Sequence, residues 1–140
     1  MANNDAFQKM KNDLIAQNES TYGKEVRQRF GDQTVDASNR KLAGLSEEQW
    51  QRQQLLAEQI LAELKILTPQ NDPASLRAQA LCDLHRQWLQ IFWAAGTYSP
   101  RVHLALAEGY LADQRFAAYY DQAAPGATQF LRDALVIYCS

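Results

Sequence analysis

The chain has little of what marks several common classes of protein. Its 140 residues include only six glycines and four prolines, too few for a low-complexity or fibrous chain. Fourteen basic and sixteen acidic residues give a net charge of −2, so no cationic excess is present to bind nucleic-acid phosphates or an anionic membrane. Apolar runs fall short of the roughly 20 residues of a membrane-spanning helix, and the polar first residues do not resemble a secretory signal. These absences predict a cytoplasmic protein without direct nucleic-acid or membrane partners.

Cysteine and histidine are scarce as well, which limits the metal and catalytic sites that the chain can form. Cys82 and Cys139 match neither a disulfide framework nor a zinc motif, and we expect free thiols. His85 and His103 are the two histidines, and a lone His on an apolar helix face is more typical of a core or pocket residue than of a catalyst. Phosphate-binding glycine loops and the hydrolase G-x-S-x-G motif are absent. We therefore predict no catalytic residue, no metal and no cofactor, and a protein that is not an enzyme.

Helical signals are what the sequence contains in abundance. Ser46 and Gln49 form a capping-box pattern that predicts the start of a long helix running to about Leu67. After a short loop, Asp72 followed by proline predicts the start of a second long helix over residues 74–95. Both segments repeat apolar residues at three- and four-residue spacing, which is typical of helices that face a core.

Further signals divide the rest of the chain into shorter helices. Apolar residues within 1–20 indicate a weak amphipathic helix, and Gly31 ends a short helix that begins near Tyr22. Ser99-Pro100 and Asp113 mark two more helix starts, and 124–126 (APG) precedes a strongly periodic last helix. The prediction is an all-α, compact single-domain bundle of about six to eight helices.

Aromatic residues outnumber what one face of each helix could bury. They are Tyr22, Trp50, Trp88, Phe92, Trp93, Tyr98, Tyr110, Phe116, Tyr119 and Tyr120. Ordinary core packing is one interpretation of the set. The other is that some of these rings line a pocket, because aromatic walls with a polar edge suit flat, heterocyclic or peptide-like ligands.

Several short motifs follow one another in an order typical of one family. They are Tyr22 with EVRQRFG at 25–31, EQWQR at 48–52, HRQ at 85–87, His103, EGY at 108–110, DQRF at 113–116, Asp121, APG at 124–126 and FLRDA at 130–134. Each motif alone is weak, but the ordered set covers about residues 22–138. In this order and spacing the chain resembles the TipAS antibiotic-recognition domain, the ligand-binding half of TipA-like, MerR-type drug-responsive transcription regulators.

The resemblance implies a globin-like domain with a cleft for structurally diverse, largely apolar antibiotics, notably thiopeptides. It implies a mobile N-terminal extension at residues 1–20 and a ligand-binding domain at 21–140. It also implies cleft walls that contain aromatic and histidine side chains. The candidates are Tyr22, His85, Trp88, His103, Tyr110 and Phe116, with Trp93 and Tyr98 added from the aromatic pattern alone.

Two departures from the family shape the functional expectation. The thiopeptide-capturing cysteine of the family corresponds, counting from His103, to Ala105, so the resemblance here implies reversible instead of covalent binding. About twenty residues precede Tyr22, where a MerR-type regulator has its DNA-binding winged helix and dimerisation helix. The expectation is a stand-alone form that sequesters a drug in resistance or sensing, without switching a promoter itself.

Two other functions remain open from the sequence. The same helices can present an apolar face to a partner regulator or to a second copy of the chain, which would make the protein an interaction or homodimerisation module. An enzyme is the third hypothesis, with Asp83 and His85 as acid and base.

Overall fold

Helices form every regular element of residues 2–140, the part of the chain that this computed structural model describes, with side chains from residue 5 onward. The elements are α1 (Ala2–Asn18), a π-helical turn (Glu19–Gly23), α2 (Lys24–Phe30), α3 (Asp32–Ala43), α4 (Glu47–Gln70), α5 (Leu76–Phe92), α6 (Pro100–Ala112), α7 (Gln114–Asp121) and α8 (Ala127–Tyr138). The predicted all-α bundle of six to eight helices is confirmed. None of the described helices is long and apolar enough to cross a membrane.

The hydrophobic core lies among α4 to α8, which we call the helical body. Helix α8 packs against α4, α5, α6 and α7, and α4 packs along α5. The largest fully buried apolar side chains are Leu64, Leu67, Leu81, Leu131 and Leu135. The predicted apolar face of the last helix is confirmed, since Ala127, Phe130, Leu131, Ala134 and Leu135 are all buried.

The predicted helix starts agree with the structure where a side chain caps the helix locally. Ser46 Oγ accepts a hydrogen bond from the Gln49 amide at 3.1 Å, and the Gln49 side chain accepts one from the Ser46 amide at 2.9 Å. Ser99 and Asp113 likewise accept from backbone amides at the starts of α6 and α7. Gly31, with a φ of 86°, ends α2 as predicted, in a conformation that favours glycine.

The loop between α4 and α5 differs from the prediction. Helix α4 continues through Pro69 to Gln70, because the fixed φ of proline is compatible with a helix and its missing N–H costs the last turn a single hydrogen bond. The cap of α5 is Ser75, whose Oγ accepts from the Ala78 amide at 3.1 Å, and not Asp72. Helix α5 also ends at Phe92, three residues before the predicted end.

The first three helices and the π-helical turn form an N-terminal segment that lies against the body. Arg27 of α2 holds this segment together, because its guanidinium donates to the carboxylates of Glu19, Asp32 and Asp36. The hydrogen bond from Arg27 lowers the pKa of the Glu19 carboxyl. A Cβ on Gly23 would lie 2.2 Å from a Glu19 carboxylate oxygen, so a larger residue there would shift the Glu19 side chain that Arg27 binds.

Candidate functional site

Two buried histidines from different helices meet at the centre of the aromatic side chains. His85 lies on α5 and His103 on α6, and neither has exposed surface. His85 Nδ1 and His103 Nε2 are 2.8 Å apart, and the two rings stack with their centroids 5.0 Å apart and an angle of 14° between their planes. Helix α5 brings His85 inward on the same face as Leu81, Cys82 and Leu89.

A tyrosine hydroxyl contacts the outer nitrogen of each histidine. Tyr98 Oη lies 2.8 Å from His103 Nδ1, and Tyr120 Oη lies 2.9 Å from His85 Nε2. Tyr98 comes from the loop between α5 and α6, and Tyr120 comes from α7. Both ring nitrogens of both histidines therefore have hydrogen-bonding partners, although the side chains around the four residues are largely apolar.

Burial sets the charge state of this centre. It lowers the pKa of His85 to about 3 and that of His103 to about 4, with the neighbouring imidazole adding to the effect on His85 and Arg86 adding to the effect on His103. Burial raises the pKa of Tyr98 to about 12 and that of Tyr120 well above its ordinary value. At neutral pH the centre is therefore uncharged. Among the described residues no three metal-ligating side chains come together.

Ring contacts join all eight predicted site residues into one cluster. Tyr22 contacts Phe116, Phe116 contacts Tyr110, and Tyr110 contacts His85, with centroid separations of 6.2, 5.8 and 6.2 Å. His85 also contacts Trp88 and His103. From His103 the contacts continue to Tyr98 and then to Trp93. The structure thus brings the eight residues together, and their role in binding a ligand stays a prediction.

The N-terminal segment reaches this cluster at Tyr22. The Arg115 guanidinium lies 5.1 Å from the Tyr22 ring centroid and donates to both carboxylate oxygens of Glu25 at 3.1 Å. Arg115 belongs to α7, so this ion pair and the contact between Tyr22 and Phe116 join α2 and the π-helical turn to the body. Phe116 remains 40% exposed. This junction is the edge at which the cluster meets solvent.

A second group of rings lies on the other side of Trp88. The Trp88 ring contacts Phe92, Phe92 contacts Trp50, and Trp50 contacts Phe7 of α1. The Trp88 indole N–H donates to the buried Gln53 side chain at 3.3 Å. The aromatic cluster therefore extends from α7 to the face of the body that α1 covers.

Sequence reasoning missed Tyr120 and Gln53 as members of the site. Tyr120 is only 4% exposed and completes the hydrogen bonding of His85. It was visible in the sequence as one of the surplus aromatic residues, but no motif distinguished it from Tyr119. Gln53 carried no sequence signal, since a single glutamine on a long polar helix is ordinarily exposed.

Two grooves open on the surface beside the cluster. One, of about 580 Å³, lies between α1 and α4 and is lined by Ala6, Lys9, Met10, Asp13, Leu14, Gln17 and Trp50. The other, of about 440 Å³, lies among α3, α4 and α5 and is lined by Lys41, Gln49, Arg52, Arg86, Gln87, Gln90 and Ile91. The eight predicted site residues line neither groove, and Phe116 is the one among them that is exposed.

Comparisons with known proteins agree with this arrangement of helices. Residues 22–138 match the family model described as the TipAS antibiotic-recognition domain. The solved structure of TipAS from Streptomyces lividans in complex with nosiheptide, studied as a thiopeptide antibiotic multidrug resistance system, superimposes with a TM-score of 0.71 at 31% identity. The match covers 86% of this chain and 85% of that one.

Curated relatives are longer than this chain. The HTH-type transcriptional activator TipA of Streptomyces coelicolor is 34% identical over 121 residues, which is 82% of this chain and 46% of TipA, and the S. lividans protein gives the same figures. The HTH-type transcriptional activator mta of Bacillus subtilis is 26% identical over 131 residues, 89% of this chain and 48% of mta. The chain thus spans about half the length of these relatives. The family match over residues 22–138, together with the helical bundle built around His85 and His103, places the chain in the TipAS antibiotic-recognition domain family.

Proposed function

We propose that this protein binds bulky, largely apolar or heterocyclic antibiotics of the thiopeptide type reversibly, in drug resistance or drug sensing. The observation that carries the proposal is the single aromatic cluster that contains all eight predicted site residues. Nosiheptide, which the related S. lividans TipAS binds, is a thiopeptide antibiotic. Stacked rings offer such a ligand a large contact area at a small cost in side-chain entropy.

The polar atoms inside the cluster suit a neutral heterocyclic ligand better than a charged one. The histidines at its centre are uncharged at neutral pH, and their nitrogens are already paired with tyrosine hydroxyls. A charged ligand in this uncharged environment would lose hydration without gaining an ion pair. Ala105, in place of the cysteine of the family, supports non-covalent binding.

The ligand enters, on this proposal, between the N-terminal segment and the helical body. Tyr22 and Phe116 form the edge at which these two parts meet, and Phe116 is accessible from solvent. The segment meets the body there through the exposed ion pair of Arg115 with Glu25 and the contacts of the Tyr22 ring with Arg115 and Phe116, so it can separate at a modest cost. Binding without turnover is proposed as well, since the hydroxyls beside the paired histidines belong to Tyr98 and Tyr120, whose raised pKa values keep them protonated at neutral pH.

Titration with nosiheptide tests the proposal. We expect saturable quenching of Trp fluorescence and a one-to-one, non-covalent adduct in native mass spectra. Phe116→Ala should weaken binding about tenfold, which corresponds to about 1.4 kcal/mol for one lost ring contact. Tyr119→Ala is the matched control, because Tyr119 lies on the same helix with a similar exposure of 41% but contacts none of the eight residues.

The same spectra decide between this proposal and an interaction module. No adduct with nosiheptide and a chain that dimerises with rising concentration would reject antibiotic binding and support homodimerisation. Equal losses of affinity in Phe116→Ala and Tyr119→Ala would reject the aromatic cluster as the site while leaving binding itself intact.

A further inference from the structure

The side chains of Tyr98, His103, His85 and Tyr120 form a chain of three hydrogen bonds. The separations along the chain are 2.8 Å from Tyr98 Oη to His103 Nδ1, 2.8 Å from His103 Nε2 to His85 Nδ1, and 2.9 Å from His85 Nε2 to Tyr120 Oη. Each histidine uses both of its ring nitrogens within the chain. A neutral imidazole donates through one nitrogen and accepts through the other, so the direction of one bond fixes the direction of all three.

The chain therefore has two complete arrangements. In the first, Tyr98 donates to His103, His103 Nε2–H donates to His85, and His85 Nε2–H donates to Tyr120. In the second, Tyr120 donates to His85, His85 Nδ1–H donates to His103, and His103 Nδ1–H donates to Tyr98. Both histidines therefore carry their proton on Nε2 in the first arrangement and on Nδ1 in the second. Opposite tautomers would place two N–H groups, or two lone pairs, against each other across 2.8 Å.

Neither end of the chain excludes a direction, although the hydroxyl of Tyr110 gives the Tyr120 proton a further acceptor, which favours the first arrangement. Both ends are tyrosine hydroxyls, and a hydroxyl both donates and accepts. The two ends differ in access, because Tyr120 is 4% exposed whereas Tyr98 is half-buried in the loop that joins α5 to α6. Tyr98 is therefore the end of the chain that is open to a ligand bound at the cluster.

We propose that this four-residue chain is a reversible hydrogen-bond relay that lets Tyr98 serve either as a donor or as an acceptor toward a bound antibiotic. The inference rests on the proposed antibiotic-binding function and adds the chemistry of recognition. In the first arrangement the Tyr98 oxygen is free to accept from an amide N–H of a ligand. In the second its hydroxyl proton is free to donate to a carbonyl oxygen or to a ring nitrogen of a thiazole or pyridine. One site then accommodates heterocyclic ligands of either polarity without moving its backbone.

Tyr120 acts in this relay as a positioning residue, because it influences Tyr98 only through the two histidines. Removing its hydroxyl leaves His85 Nε2 without a partner, and a bare nitrogen is tolerated there better than a buried N–H donor. Tyr120→Phe therefore favours the second arrangement, with both histidines protonated on Nδ1. Tyr98→Phe, by the same reasoning at His103 Nδ1, favours the first arrangement, with both protonated on Nε2.

Nitrogen-15 NMR of histidine-labelled, ligand-free protein at pH 7.5 tests the relay. In the wild-type protein we expect the two histidines to show the same tautomer, or the same average of the two. Tyr120→Phe and Tyr98→Phe should shift both histidines in opposite directions, and Tyr119→Phe, next to the chain but outside it, should leave the spectrum unchanged. A merely structural role of the tyrosine hydroxyls would not reverse the tautomers.

Several outcomes would overturn the relay. Opposite tautomers in the wild-type protein would do so without any substitution, which keeps the test decisive if a variant does not fold. The relay would also be overturned if Tyr98→Phe and Tyr120→Phe showed the same histidine tautomer.

Nosiheptide titrations separate the relay from the proposed function. We expect Tyr98→Phe to weaken nosiheptide binding about tenfold, as for one lost hydrogen bond in a buried site. Unchanged affinity in Tyr98→Phe would reject the contact of Tyr98 with this ligand. If the two variants show opposite tautomers but the wild-type protein does not bind nosiheptide, the proposed function is rejected. The inference that the three hydrogen bonds share one direction would still stand.

Discussion

Lys11 is a buried cation in an otherwise polar and exposed stretch of α1. Its side chain is 2% exposed, and its ammonium donates to the carbonyl oxygens of Ala43 at 2.7 Å and Leu45 at 2.6 Å. These carbonyls lie at the end of α3 and in the loop before α4, where helix geometry provides no partner for them. The positive charge also lies at the negative end of the α3 dipole, and 4.4 Å from the Phe7 ring centroid. One residue thus joins α1 to the rest of the chain.

Lys11→Met should destabilise the protein by about 2 kcal/mol, because it removes two charge-assisted hydrogen bonds and leaves two carbonyls unpaired. Urea unfolding followed by Trp fluorescence measures the change, since Trp50 contacts α1 through Phe7. Lys9→Met is the control, because the Lys9 side chain is 76% exposed and pairs only with Asp13. Equal effects of the two substitutions would show that the buried contacts of Lys11 do not stabilise the fold.

Sequence reasoning reached the residues of the candidate site but not their hydrogen bonds. The family motifs and the aromatic surplus identified eight side chains that the fold brings together. The pairing of His85 with His103 could not be predicted, because the two residues are 18 positions apart and on helices whose packing decides which nitrogens meet. Lys11 and Gln53 are buried for the same reason, since a neighbouring element supplies the partner that their polarity requires.

At the level of whole elements, the start of α5 depends on a single serine. Ser75 Oγ accepts from the Ala78 amide, whereas the preceding Asp72, which the sequence pattern favours as the cap, accepts a hydrogen bond only through its backbone carbonyl. A side-chain cap satisfies one of the amides that the first turn leaves unpaired. The turn at 72–75 determines which of the two residues caps α5, and the sequence pattern alone does not predict the shape of that turn.

Ser75→Ala should therefore lower the free energy of unfolding by about 1 kcal/mol, and Asp72→Ala should change it by less than about 0.5 kcal/mol. Thermal and urea unfolding of both variants measure the difference. The reverse order of effects would mean that α5 begins at the residue that the sequence favours.

Elements with local signals were predictable, and elements held by distant contacts were not. Helices α4, α6 and α7 begin at caps that the sequence displays. Helix α3 was missed because its apolar residues are few and its place is set by the ion pairs of Arg27 with Asp32 and Asp36. The π-helical turn was missed for a similar reason, since it depends on how Glu19 is held by Arg27 and Asn39.

On the scale of the whole molecule, the N-terminal segment and the helical body are joined at three places around the aromatic cluster. Phe7 contacts Trp50 at one side, and Tyr22 contacts Phe116 at the other. Lys41 of α3 joins the segment to the end of α5, where its ammonium donates to the carbonyls of Gln90 and Trp93. The buried core lies within the body, so separation of the segment, which the proposed ligand entry requires, would leave that core intact.

The histidines at the centre of the body make the stability of the whole protein sensitive to mild acid. Both have a pKa lowered by burial from the ordinary 6.5, to about 3 for His85 and about 4 for His103, whereas the unfolded chain keeps the ordinary value. Between pH 6.5 and 4.5 the unfolded chain binds protons that the folded protein does not, so stability is full above pH 6.5 and falls as the pH decreases. Each histidine contributes a loss of about 1.4 kcal/mol per pH unit within this window. The paired carboxylates, such as Asp113 with a pKa lowered to about 2, lose their stabilising effect only in stronger acid, below the ordinary carboxylate range.

Urea unfolding at pH 7.5, 6.5, 5.5 and 4.5 should therefore show a small decrease in the free energy of unfolding in the first interval and a steep decline in the other two. A variant with His85→Gln and His103→Gln serves as the reference: it should be less stable at pH 7.5, because its hydrogen bonds are imperfect, but nearly independent of pH down to 4.5. The two curves are expected to converge in acid, since protonation of the unfolded wild-type chain removes the advantage of its neutral imidazoles. Parallel curves would contradict the assignment, and would mean that the wild-type histidines titrate in the folded protein as they do in the unfolded chain.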